Sequence, residues 1–265
     1  RNPLQSNARG LKIATIDNIH TVIHQILQLA VEDNYIRRNI SDNLLKELKS
    51  SHHYEDSHRR ALTLPEQELF MEFLSKENSQ YYHWLPIFTV MLGTGMRVGE
   101  LCALKWDDVK ADAIHIHAQQ LMYKENGRNY YYVDWTKDEK GFSQGGRRFP
   151  ITIEIRNLLS EIKSVQDSLG IKSEYVFCNR EGRWIYTKAY SDCLRALCRS
   201  LGFQVTNNHA FRMSLNSNVF IPLGIPVTER ARLLGHSVET NEKYYSYARK
   251  NSMQDICALL NGQAV

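Results

Sequence analysis

The chain has 265 residues, 43% of them hydrophobic, and a net charge of +4, with an isoelectric point near 8.7; that length suits two modest domains or one large one with a buried core. No run approaches the roughly 18 apolar residues of a membrane span, and the opening Arg1-Asn2-Pro3-Leu4-Gln5 lacks the apolar core of a signal peptide. Mild positive charge permits a polyanionic partner without demanding one, and five scattered cysteines (Cys102, Cys178, Cys193, Cys198, Cys257) with no Cys-x-x-Cys pair point to reduced thiols in a cytoplasm, not to a disulfide framework or a zinc site.

Along the chain, Ile16, Ile19, Ile23, Ile26 and Ala30 recur at spacings of three and four, which predicts an amphipathic helix from about Thr15 to Asp33 that needs a partner for its apolar face. The polar run from Ser50 to Arg60 reads as a linker, so residues 1–49 form one domain, 50–62 the connection, and 63–265 a second domain. Thr63-Leu64-Pro65-Glu66 is a capping-box pattern that should open a helix running to about Lys76. The apolar run Leu85 to Leu92 then meets Gly93-Thr94-Gly95-Met96-Arg97, which predicts a buried helix ending in a glycine turn and a new helix starting near Arg97.

From Ala113 to Pro150 the period changes. Ile114, Ile116 and Ala118 alternate, Asn126-Gly127 signals a turn, Tyr130 to Trp135 is β-prone, and Arg147 to Ile151 reads as a third strand of one small antiparallel sheet. The polar, glycine-containing stretch Thr136 to Gly146 lies between its last two strands as a loop. Helical character returns near Ile153–Ser164, Thr187–Ser200, His209–Phe220, Val227–Leu234 and Thr240–Ala248, followed by a tail with Met253, Ile256, Leu259 and Leu260. The fold class expected is mainly α with a small antiparallel β-sheet, an α+β arrangement.

Several residues could carry chemistry. His209 and Arg212 stand three apart on one helical face and can converge on one anion. Leu233-Leu234-Gly235-His236 reads as a helix closed by a glycine cap that then presents a histidine, and Tyr245 follows nine residues later within Lys243-Tyr244-Tyr245-Ser246-Tyr247. Taken singly, each has a bland explanation: a surface pair, a structural histidine, an aromatic packing face.

In combination and in this order, Arg97 within Gly95-Met96-Arg97-Val98-Gly99-Glu100-Leu101, His209-Ala210-Phe211-Arg212, His236 and Tyr245 resemble the catalytic domain of the tyrosine recombinase (phage integrase) family, from about Leu62 to Tyr247. The resemblance implies an integrase of phage or conjugative-transposon type. It carries the family's first arginine onto Arg97, its acidic companion onto Glu100, its His-x-x-Arg onto His209 and Arg212, its second histidine onto His236 and its nucleophile onto Tyr245. The family's lysine, on the loop between two strands of the small sheet, falls best on Lys137 in Trp135-Thr136-Lys137, with Lys140 close by as the alternative. Tyr244 is a second phenol beside Tyr245, but adjacent helical residues point about 100° apart, so only one can face a phosphate. Met213 to Val219 departs from the usual family continuation after the arginine.

What the resemblance implies is site-specific cutting and rejoining of double-stranded DNA through a 3′-phosphotyrosine, with no cofactor, ATP or metal. Residues 1–49 would be the later part of a helical core-binding domain that clamps the duplex. Arg147, Arg148, Arg180, Arg183 and Lys140 are expected phosphate-backbone contacts. A homotetramer on two DNA sites, with the C-terminal tail docked on a neighbouring protomer, is implied, and an accessory DNA-bending or excision factor is compatible with it. Type IB topoisomerase-like relaxation and a non-catalytic DNA-binding regulator are the alternatives, separable by relaxation, recombination and covalent-trapping assays.

Overall fold

The computed structural model describes residues 11, 13–46, 61–136, 145–203 and 207–242. The chain divides into two compact units, Arg1–Ser57 and His58–Val265.

In the first unit, helix α1 spans Ile13–Glu32, and the segment behind it is tied back by polar contacts. Asn39 donates from Nδ2 to the His24 carbonyl at 3.0 Å while its Oδ1 accepts the Ser41 hydroxyl at 2.6 Å, and His24 Nδ1 meets Ser41 Oγ at 2.9 Å. The apolar stripe read from the sequence is present on the helix, and Ile19, Ile23 and Ile26 of it are exposed.

The second unit opens as its sequence dictates. Thr63 caps α2 (Leu64–Ser75) in a complete capping box with Glu66, and Pro65 sits in the first turn where its missing N–H costs nothing. Helix α3 (Leu85–Thr94) is apolar nearly all round and correspondingly buried, with Ile87, Phe88, Val90 and Met91 in the core. Around it, Phe88 packs against Phe70 of α2 at 5.3 Å, Phe211 at 6.0 Å and Tyr190 at 4.8 Å between ring centroids. Gly95 adopts a left-handed φ of 59° that closes α3, and Arg97 is the N-cap of the short α4 (Val98–Ala103).

The β region differs from the single sheet expected. It is two separate antiparallel ladders: β1 (Ala113–Ile116) pairs with β4 (Arg147–Pro150), and β2 (Ala118–Glu125) pairs with β3 (Arg128–Trp135). The β2–β3 hairpin turns through Asn126 and Gly127, both with positive φ. His117 is the one residue between β1 and β2, and the chain changes ladder there.

Helices α5 (Ile153–Ser168) and α6 (Thr187–Ser200) follow. The helix expected over His209–Phe220 is α-helical only as α7 (His209–Leu215); its last turn, Asn216–Phe220, widens to a π-helix. Such a widening spreads one turn over an extra residue and redirects the side chains beyond it. Helix α8 (Val227–Leu234) ends at Gly235, again left-handed at φ 62°, and the three-residue α9 (Val238–Thr240) follows. Of the helix expected from Thr240 to Ala248, only residues up to 242 are described; the tail residues lie outside the described residues.

Candidate active site

Two glycine caps and one strand bring distant parts of the chain to a single carboxylate. Because α3 ends abruptly at Gly95, Arg97 can cap α4, its N–H donating to Glu100 Oε2 at 2.8 Å and its Nη1 to Glu100 Oε1 at 2.8 Å. Because α8 ends abruptly at Gly235, that residue's carbonyl faces Arg97 and accepts from its Nη2. From β4, Arg147 completes the node: Nη1 and Nη2 donate to Glu100 Oε1 and Oε2 at 2.9 and 2.6 Å, and Nε donates to the Leu233 carbonyl at 3.0 Å. Arg212, only 1% exposed on α7, donates from Nη1 to the Gly95 carbonyl at 2.8 Å.

The electrostatics follow from this packing. Burial alone would raise the Glu100 carboxyl, yet Arg147, then Arg212 and Arg97, outweigh it and hold the group down at about 2. His236, beside the Gly235 cap, is driven down to about 3 by burial first and then by the charges of Arg212 and Arg97, so it is a neutral imidazole at physiological pH. One carboxylate thus faces three guanidinium groups. The surplus is positive, a charge balance that can attract an anion.

Arg97, Glu100, Arg212 and His236 are therefore brought together. His209 is exposed at the start of α7, one turn before Arg212. Lys137, Lys140, Tyr244 and Tyr245 lie outside the described residues. Arg148 is exposed and pairs with Asp112 at 2.9 Å, while Arg180 and Arg183 are exposed on a turn organised by Asn179. Arg147 is a correction. The sequence marks it as a phosphate-backbone contact, but strand alternation points it and Phe149 inward, and its guanidinium is engaged by Glu100 and Leu233. Asp108, His115 and His117, which belong to none of the sequence motifs above, bring their ligand atoms within 4.8 Å of one another; the His-x-His spacing on a strand is the available signal.

These features define a class. The model of the phage integrase family matches residues 60–251, most of the chain, and the protein belongs to that family. Among its relatives, the ICEBs1 integrase of Bacillus subtilis is 25% identical over 263 residues, covering 95% of this chain and 66% of the relative. The tyrosine recombinase XerC of Pediococcus pentosaceus is 26% identical over 192 residues, covering 71% of this chain and 57% of the relative. The chain thus spans less than two thirds of the length of these relatives. In fold it is similar to the Tn1549 transposon integrase in complex with transposon right end DNA, with a TM-score of 0.78 and 21% identity over 96% of this chain and 80% of that one. It is also similar to a lambda integrase dimer bound to a core site, with a TM-score of 0.57 and 14% identity over 90% of this chain and 75% of that one.

Proposed function

We propose that the protein is a site-specific DNA recombinase that cleaves and rejoins strands through a 3′-phosphotyrosine on Tyr245, using neither ATP nor metal in the reaction. The observation that carries this reading is the convergence of Arg97, Arg147 and Arg212 around Glu100, whose excess of positive charge supports a site for one phosphodiester. Double-stranded DNA as substrate is supported by the DNA complexes of the Tn1549 and lambda integrases.

Attack on a phosphodiester builds negative charge on its non-bridging oxygens. Arg97 and Arg212 grip those oxygens with permanently charged, forked donors, a stabilisation that grows as the transition state forms. Arg147 works at one remove: with Glu100 it fixes the orientation of Arg97. His236, neutral in the free protein, donates a hydrogen bond to a non-bridging oxygen without adding a further charge to a crowded site.

A free tyrosine phenol has a pKa near 10, so Tyr245 must lose its proton as the Oη–phosphorus bond forms; His209 accepts that proton. The bond from phosphorus to the 5′ oxygen breaks, and Lys137 supplies the proton that turns the leaving oxygen into a 5′ hydroxyl, with Lys140 the alternative donor. The phosphotyrosine keeps the ester bond energy, so attack by a 5′ hydroxyl from a partner strand reverses the steps and restores Tyr245. Arg148, Arg180 and Arg183 contact backbone phosphates and position the duplex without reading its sequence. Residues 1–49 clamp the duplex, and a homotetramer on two sites, with the C-terminal tail docked in trans, performs the exchange.

The test is covalent trapping on a nicked suicide substrate, from which the short cleaved strand diffuses away. A denaturation-resistant adduct, mapped by mass spectrometry to the peptide carrying Tyr245 and lost in Tyr245→Phe, is expected. Binding without any adduct would overturn the reading in favour of a DNA-binding regulator, and an adduct on Tyr244 would reassign the nucleophile.

A further inference from the structure

Away from the arginine node, two histidines and a carboxylate meet at the foot of the β1–β4 ladder. Asp108 ends the 3-10 turn Trp106–Asp108, His115 lies within β1, and His117 joins β1 to β2. One donor atom from each lies within 4.8 Å of the other two. His117 Nε2 is 2.8 Å from Asp108 Oδ1, and the two imidazole rings are 4.9 Å apart. We propose that Asp108, His115 and His117 form a binding site for a divalent transition ion of the Zn2+ class.

Three features favour an ion over a simple hydrogen-bonded pair. The donor chemistry is right: two imidazoles with one carboxylate suit Zn2+, Co2+ or Ni2+, whereas Mg2+ and Ca2+ prefer all-oxygen sites. The donors are held from behind, since Asp108 Oδ2 accepts the Lys105 N–H at 3.1 Å, which aims Oδ1 at His117. Outer partners of this kind orient the ligands of metal sites. The backbone beneath is pinned as well: Thr136 N–H donates to the His117 carbonyl at 3.0 Å, and Gly145 presents its carbonyl to His115 Nε2. A Cβ on Gly146 would stand 2.7 Å from His117 Cα, so the chain there approaches as closely as only glycine allows.

Tetrahedral ligation with bonds of about 2 Å separates donors by roughly 3.3 Å. The spread of the three donor atoms therefore closes onto an ion by small side-chain rotations, with the Asp108–His117 hydrogen bond giving way to two bonds to metal. His117 and Asp108 side chains keep 26% and 12% of their exposure, which leaves an open side for water as a further ligand. Strand alternation sets this site apart from the arginine node. His115 pairs with Arg148 and Ile116 with Arg147, so the histidine and the Arg147 guanidinium leave opposite faces of the ladder. The ion would accordingly brace the 3-10 turn, β1 and the two ends, Thr136 and Gly145, of the connection between β3 and β4, and take no part in phosphoryl transfer.

Titration of the full chain with Zn2+ alone, followed by calorimetry and by the thermal midpoint, tests this directly. One equivalent bound at this site and a rise in midpoint with Zn2+ concentration are expected. His115→Gln with His117→Gln removes two of the three direct ligands, so it should weaken that equivalent by more than the roughly 100-fold that loss of an outer partner can cost, and abolish the rise. His20→Gln with His24→Gln, which removes a second histidine pair on α1, should leave both unchanged. Co2+ in place of Zn2+ should give a visible ligand-field spectrum without a thiolate charge-transfer band. His115→Gln alone removes a half-buried ligand and serves if the double variant unfolds. Retention of the equivalent in these folded variants, or its loss only with the α1 pair, overturns the site.

Discussion

Arg147 and Glu100, 47 positions apart, are joined by two hydrogen bonds of 2.9 and 2.6 Å, and both side chains are shut away from water. A buried pair of this kind is costly to break from one side, because the survivor keeps its desolvation while losing two of its charge-assisted hydrogen bonds. Arg147→Met should therefore lower unfolding free energy by about 3 kcal/mol, measured by urea denaturation at neutral pH. It should also slow covalent trapping while leaving duplex affinity nearly unchanged, since Arg97 loses its frame and no outward phosphate contact is removed.

Stability should fall in acid in two stages. Both groups have folded pKa values depressed below their ordinary ones, so each contributes stability that is present above the ordinary value and lost as pH falls toward the folded one. His236 acts from 6.5 down to about 3, and Glu100 from 4.5 down to about 2. Denaturation midpoints measured from pH 8 to pH 3 should drop below pH 6.5 and more steeply below 4.5. His236→Gln should flatten the first stage and leave the second; an unchanged first stage would mean that another group sets it.

Removing one phosphate clamp should affect rate more than binding. Arg97→Gln is expected to reduce the rate of covalent adduct formation by about 100- to 1000-fold, with duplex affinity altered by no more than about threefold, because one contact among many sets the electrostatic affinity. A gel-shift titration run beside single-turnover trapping separates the two quantities. Equal losses in both would make Arg97 an ordinary DNA contact.

Gly146→Ala should cost of order 2 kcal/mol. The residue has φ 76°, and an added Cβ would lie 2.3 Å from the Ile116 carbonyl oxygen, so strand β1 and this turn cannot both keep their places. The reference is Gly127→Ala, also at positive φ but open to solvent, which should cost less than half as much in the same denaturation experiment.

Much of this could be read from residue patterns. The capping box at Thr63, the glycine stops at Gly95 and Gly235 and the apolar α3 are local signals, and local physics decides them. The arginines at 97 and 212 and the histidine at 236 were legible through their flanking motifs. What escaped was register. Arg147 and Arg148 are adjacent and chemically identical, yet one is engaged with Glu100 and the other pairs with exposed Asp112; only the pairing of β1 with β4 decides which is which. The inward Phe149, two residues on, was the one clue. For the same reason the two ladders read as one sheet, since a single residue separates β1 from β2 and no pattern marks the change of partner.

Arg97, Arg147 and Arg212 each lean on a peptide oxygen, of Gly235, Leu233 and Gly95 respectively. A main-chain oxygen exists whatever side chain hangs beside it. Part of the aim of all three cations is therefore set by the course of the backbone, and substitutions that spare Glu100 and the arginines themselves can accumulate around them so long as the two glycine reversals persist. The grip is in this sense written into the route of the chain as well as into its letters.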